Sequence, residues 1–104
     1  MNKICPSECS SILNKGNAII LDIREQFEFD AVHLDCLHIP MAQVVERVEE
    51  LKKYDKIIVM CQSGKRAEAV VNFLETELKI TNLLVLEGGI SEWANQIDNT
   101  LQID

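Results

Sequence analysis

The chain has 104 residues, a formal net charge of -7, 47% apolar residues and 26% charged residues. That length suits one buried core and the composition is that of a globular chain, so disorder and collagen-like repeats are excluded. The acidic balance and the lack of a basic stripe argue against nucleic acid as a partner, and no apolar run approaches the ~20 residues of a membrane span. Met1-Asn2-Lys3 leads into no signal-peptide core, so one cytoplasmic, monomeric domain over 1–104 is the expectation.

In chain order, Lys3-Ile4-Cys5 reads as a short strand. Ser7 follows as the cap of a helix that buries Cys9, Ile12 and Leu13 and stops at Gly16. Ala18-Ile19-Ile20-Leu21 is an apolar run without polar alternation, as are Ile57-Ile58-Val59-Met60 and Leu83-Leu84-Val85-Leu86. Such runs suit strands covered on both faces. A short helix and a weak strand at Leu37-His38-Ile39, ended by Pro40, lie between the first two runs. Met41, Val44, Val45, Val48 and Leu51 recur at helical spacing, and so do Ala67, Val70, Val71, Leu74 and Leu78. A last helix holds Trp93, and 94–104 is a polar tail with scattered Ile97, Leu101 and Ile103. Alternating strands and helices demand crossovers, which predicts an α/β three-layer domain: a five-stranded, mostly parallel sheet with helices on both faces.

Four cysteines are present. Cys5 and Cys9 do not have zinc-knuckle spacing, Cys36 and Cys61 are solitary, and neither His33 nor His38 lies near a cysteine at ligand spacing. Reduced thiols and no metal site are expected.

Chemistry concentrates at Cys61-Gln62-Ser63-Gly64-Lys65-Arg66, which follows a buried strand and precedes a helix. Such a loop sits at the positive end of the helix and favours an anion. Its successive amides can converge into a nest, with Gly64 supplying the curvature, and Lys65 and Arg66 add positive charge in an acidic chain. That setting favours the thiolate, which is the nucleophilic form of cysteine. On spacing alone, Cys61 reads equally well as a small buried hydrophobe at a strand end.

The loop, read as C-x-x-G-x-R, resembles the active-site loop of the rhodanese family of sulfurtransferases. Three further segments fall in that family's order. Asp22-Ile23-Arg24-Glu25-Gln26-Phe27-Glu28-Phe29 looks like its D-x-R-x-x-x-E-[FY] segment, and His33-Leu34 with Ile39-Pro40 is similar to its G-H-I and I-P elements. Leu86-Glu87-Gly88-Gly89-Ile90-Ser91-Glu92-Trp93 resembles its L-x-G-G-x-x-x-W ending.

The resemblance implies the rhodanese fold and a catalytic Cys61 that takes sulfane sulfur from a small anionic donor such as thiosulfate. The resulting persulfide passes its sulfur to a thiol, cyanide or a protein thiol, with no organic cofactor. It also implies that the amides from Gln62 to Arg66 cradle the persulfide while the side chains of Lys65 and Arg66 orient the donor. Related phosphatases and arsenate reductases have a loop one residue longer, which makes phosphoryl transfer the alternative chemistry and a noncatalytic binding module the alternative class. The chain departs from the family at Val32, where glycine is usual. A β-branched residue resists positive φ, so the backbone between Asp30 and Leu34 should differ here.

Elsewhere structural roles are expected. Arg24 should pair with Glu28, His33 and His38 should pack, Cys9 belongs to the core, and Gly88-Gly89 should let the chain turn into the helix of Trp93.

Overall fold

A computed structural model describes residues 1–103. Its elements are β1 (Lys3–Ile4), α1 (Pro6–Leu13), β2 (Ala18–Asp22), α2 (Gln26–Ala31), β3 (Leu37–His38), β4 (Lys56–Met60), α3 (Lys65–Glu77), β5 (Leu83–Leu86) and α4 (Gly89–Gln96). The five strands form one sheet in the order β1-β5-β4-β2-β3, and every pairing is parallel. The expected α/β architecture is therefore present.

Side chains alternate across a strand, so each central strand feeds two cores. Leu21, Ile57, Val59, Leu83 and Val85 pack on one face with Ala67, Val70, Val71 and Leu74 of α3. Ile20, Ile58, Met60 and Leu86 pack on the other face with Cys9 of α1 and with Ile90 and Trp93 of α4. This double coverage is why the three apolar runs show no polar alternation. Burying one such aliphatic side chain contributes about 1.5–3 kcal/mol. In the tail, Leu101 and Ile103 pack at the edge of the second core. Among the described residues no helix is long and apolar enough to cross a membrane.

Three expectations need correction. The helix expected from Met41 to Leu51 is instead two 3-10 turns, Met41–Gln43 and Val48–Leu51. Its amides reach back only three residues at Val44, Glu50 and Lys52, and only Val44 and Leu51 are fully buried, with Met41 and Val45 exposed. Three valines within five positions weaken helix propensity, and apolar spacings of three and four are met equally by successive tight turns. Ser7 does not cap α1: the cap position is Cys5, with Pro6 opening the helix. Proline tolerates that position because the amide it lacks would have had no helical partner. The helix also ends at Leu13, before Gly16 is reached.

The third correction concerns ion pairing. Arg24 does not take the carboxylate of Glu28. Its Nε and Nη2 donate to Asp22 at 2.8–3.1 Å, and Asp22 and Arg24 are 0% and 3% exposed. Arg24 Nη2 also donates to the carbonyl of Val32 at 2.8 Å. The pair thus staples the end of β2 to the far end of α2. Val32 has φ -161° and ψ 136°, extended backbone that suits a β-branched residue and presents its carbonyl to Arg24.

Removing one partner of a buried pair strands a charge. Asp22→Asn should lower unfolding free energy by about 3 kcal/mol, read from urea denaturation. A loss below about 1 kcal/mol would show that the carbonyls of Val32 and Glu28 suffice for Arg24.

Candidate active site

Cys61 leaves β4 on the same face as Val59, so its side chain points under the start of α3. It is 1% exposed. Burial alone would make it a core residue, but two main-chain amides are aimed at its sulfur: Gly64 N–H at 3.1 Å and Ala67 N–H at 3.4 Å. Gly64 caps α3, which makes Ala67 the third residue of the helix, and no capping side chain serves this end. The first amides of a helix lack intrahelical acceptors, and here Cys61 Sγ takes the place usually held by a capping oxygen. Helix-end charge and directed N–H groups therefore act on one sulfur atom.

The turn that permits this geometry runs through Gly64 at φ +106°, a conformation that side chains disfavour. Ala67 was not foreseen, because an amide one turn into a helix leaves no mark in the side-chain pattern.

The loop is held from its other side by α4. Ile90 N–H donates to the carbonyl of Cys61 at 2.9 Å and Ser91 N–H to that of Gln62 at 3.2 Å. Gly89 lies so close that a Cβ there would overlap both of those carbonyls, and its φ is +59°. The glycine pair thus does more than turn the chain. It lets a second helix start press on the loop, so α3 supplies donors to the sulfur while α4 supplies donors to the carbonyls.

Among the remaining loop residues, Gln62 is half-buried, and Ser63 and Lys65 are exposed. Arg66 is 36% exposed and its guanidinium meets Glu28 at two points, Nη1 to Oε1 at 2.7 Å and Nη2 to Oε2 at 2.9 Å. The hydrogen bonds from Arg66 pull the Glu28 carboxyl down to about 2, with the Glu25 amide assisting, so it is ionised across the working pH range. Glu28, chiefly, and then the nearby Cys61 hold the Arg66 guanidinium further in its charged form. Sequence spacing had offered Glu28 to Arg24. The missed signal was that Arg24 precedes α2, so helical i,i+4 geometry never applied to that pair.

Beside the loop lies a cleft of about 380 Å³ lined by Arg24, Phe27, Glu28, Val32, Gln62 and Ile103 among others. The C-terminal tail therefore borders the site through Gln102 and Ile103. His33 and His38 sandwich the Phe29 ring at 4.0 and 4.2 Å between centroids, and their ring nitrogens bond to backbone carbonyls of Phe29 and Arg24, each at 2.8 Å. Both are structural contacts. Burial, assisted by Cys5, pushes the Cys9 thiol up to about 12, and burial with the Asp22 charge does the same to Cys36. Neither is a ready nucleophile.

A family model described as the rhodanese-like domain matches residues 6–96. The chain belongs to the rhodanese-like domain family. It is similar to the adenylyltransferase and sulfurtransferase MOCS3 of Drosophila virilis, at 29% identity over 93 residues, covering 82% of this chain and 21% of that protein. It is also similar to the thiosulfate sulfurtransferase GlpE of Coxiella burnetii, at 28% identity over 87 residues, covering 83% of this chain and 80% of that one. The crystal structure of a rhodanese-related protein from Thermoplasma volcanium superposes with a TM-score of 0.81 at 28% identity, covering 93% of this chain and 94% of that chain. The chain spans less than half the length of several curated relatives that it matches.

Gly89→Ala should destabilise the protein by about 3 kcal/mol, combining left-handed strain with overpacking against two carbonyls. Gly16→Ala, at a position with open space around it, should stay within about 0.5 kcal/mol of the parent. Equal effects of the two substitutions in urea unfolding would refute the role given to Gly89.

Proposed function

We propose that this chain is a sulfurtransferase that holds transferable sulfur as a persulfide on Cys61. The observation that carries this reading is the convergence of the Gly64 and Ala67 amides on Cys61 Sγ at the start of α3. Membership of the rhodanese-like family, with relatives named as sulfurtransferases, supports it.

In the loading step the Cys61 thiolate attacks the outer sulfur of a sulfane donor. With thiosulfate, the bond from that sulfur to the sulfonate sulfur breaks and sulfite leaves with the bonding pair, giving Cys61–S–S⁻. Donors aimed at an anionic sulfur stabilise both the thiolate and the persulfide, and they are fixed before the reaction begins. In the unloading step an acceptor thiolate or cyanide attacks the outer sulfur, and the Cys61 thiolate is regenerated as the leaving group. Lys65 at the loop's end favours the approach of an anion, while the charge of Arg66 is matched by Glu28. No metal or organic cofactor enters either step.

Incubation with thiosulfate or a hydropersulfide should add the mass of one sulfur atom to the intact protein. Cys61→Ser should abolish the gain and Cys9→Ser should retain it. An unchanged mass with every sulfane donor, together with hydrolysis of an aryl phosphate, would replace this reading with phosphoryl transfer.

A further inference from the structure

The loop carries two cations, Lys65 and Arg66, yet their charge is not equally available. Arg66 is engaged by Glu28 through both terminal nitrogens, at 2.7 and 2.9 Å. Glu28 is itself fixed, because its Oε1 also accepts the Glu25 amide at 2.9 Å in the capping box of α2 and its side chain is only 15% exposed. The neighbouring Arg24 is neutralised in the same way by Asp22. Of the three cations at this edge, two are matched by a carboxylate.

The wall beside them is apolar in part. Phe27 is 74% exposed on α2, and it lines the cleft with Val32 and Ile103. A small dianion entering such a place gives up hydration and needs uncompensated cations in return. A neutral sulfane donor needs no such compensation, and it gains from the apolar wall.

We propose that Glu28 is a donor-selecting residue: by holding Arg66 in a two-point ion pair, it disfavours dianionic donors such as thiosulfate and favours a low-charge organic hydropersulfide, R–S–SH. This rests on the reading of Cys61 as a sulfur carrier. The step balances without an added oxidant. The Cys61 thiolate attacks the outer sulfur, the new S–S bond forms as the donor's own S–S bond breaks, and R–S⁻ leaves with the bonding pair while the proton stays on the transferred sulfur. Glu28 touches no reacting atom and acts through Arg66, as a positioning residue.

The test measures Cys61 loading rates by quenched intact-mass spectrometry with two donors, thiosulfate and the hydropersulfide of N-acetylcysteine methyl ester. Glu28→Gln preserves the side chain's shape and an oxygen for the Glu25 amide while releasing the charge on Arg66. The ratio of thiosulfate to hydropersulfide rates should rise on the order of tenfold. Gln102→Lys, on the exposed rim of the same cleft, adds a cation without touching the ion pair and should raise the ratio by about threefold. A purely structural role for Glu28 would slow both donors alike and leave the ratio fixed. An unchanged ratio in both variants overturns the proposal while leaving Cys61 as a carrier. Failure of both donors to load the parent protein overturns the carrier reading itself.

Discussion

The structure depends on one meeting point, where the end of β4 delivers a sulfur atom to the open end of α3. A helix start needs acceptors for its first amides, and a sulfur that is to carry negative charge needs donors around it. Each need meets the other. The Gly64 and Ala67 amides find an acceptor, and Cys61 Sγ finds two donors although it belongs to an otherwise apolar core cluster. The contacts that finish the fold are therefore the same ones on which the proposed chemistry rests, and a residue that counts as core by exposure is marked out by the amides aimed at it.

Around that point the molecule is arranged in successive supports. The α4 start bonds the carbonyls of the loop, so the peptide units of Cys61 and Gln62 are held while their neighbours face the sulfur. On the opposite flank the Asp22–Arg24 pair joins β2 to Val32, which fixes the orientation of α2. That helix presents Glu28 to Arg66. A change at Asp22 can thus reach the loop through three side chains, and no flexible segment needs to be invoked.

Much of this was legible in the sequence, for identifiable reasons. The runs at Ile57-Ile58-Val59-Met60 and Leu83-Leu84-Val85-Leu86 could only be strands covered twice, and the stripe from Ala67 to Leu74 could only be a helix against them. The loop was visible from its place between a buried strand and a helix, and the resemblance of C-x-x-G-x-R to the rhodanese active-site loop singled out Cys61. Apolar spacing failed between Met41 and Leu51, since it records which residues face inward and not how many residues complete a turn. Spacing failed again for Arg24, where a charge partner four residues away lost to a carboxylate two residues back that shares its burial. The Ala67 amide and the crowding at Gly89 belong to the backbone, and a sequence of side chains does not display them.

The central claim is that the sulfur of Cys61, and not merely the loop's shape, is what those amides are bound to. Amide proton and nitrogen chemical shifts of the intact protein, followed while Cys61 is converted from thiol to persulfide, test this most directly. The account predicts that the Gly64 and Ala67 resonances move in step with the fraction loaded, and that amides on the remote side of α3 stay in place. Persulfide formation that leaves both resonances where they were would contradict it.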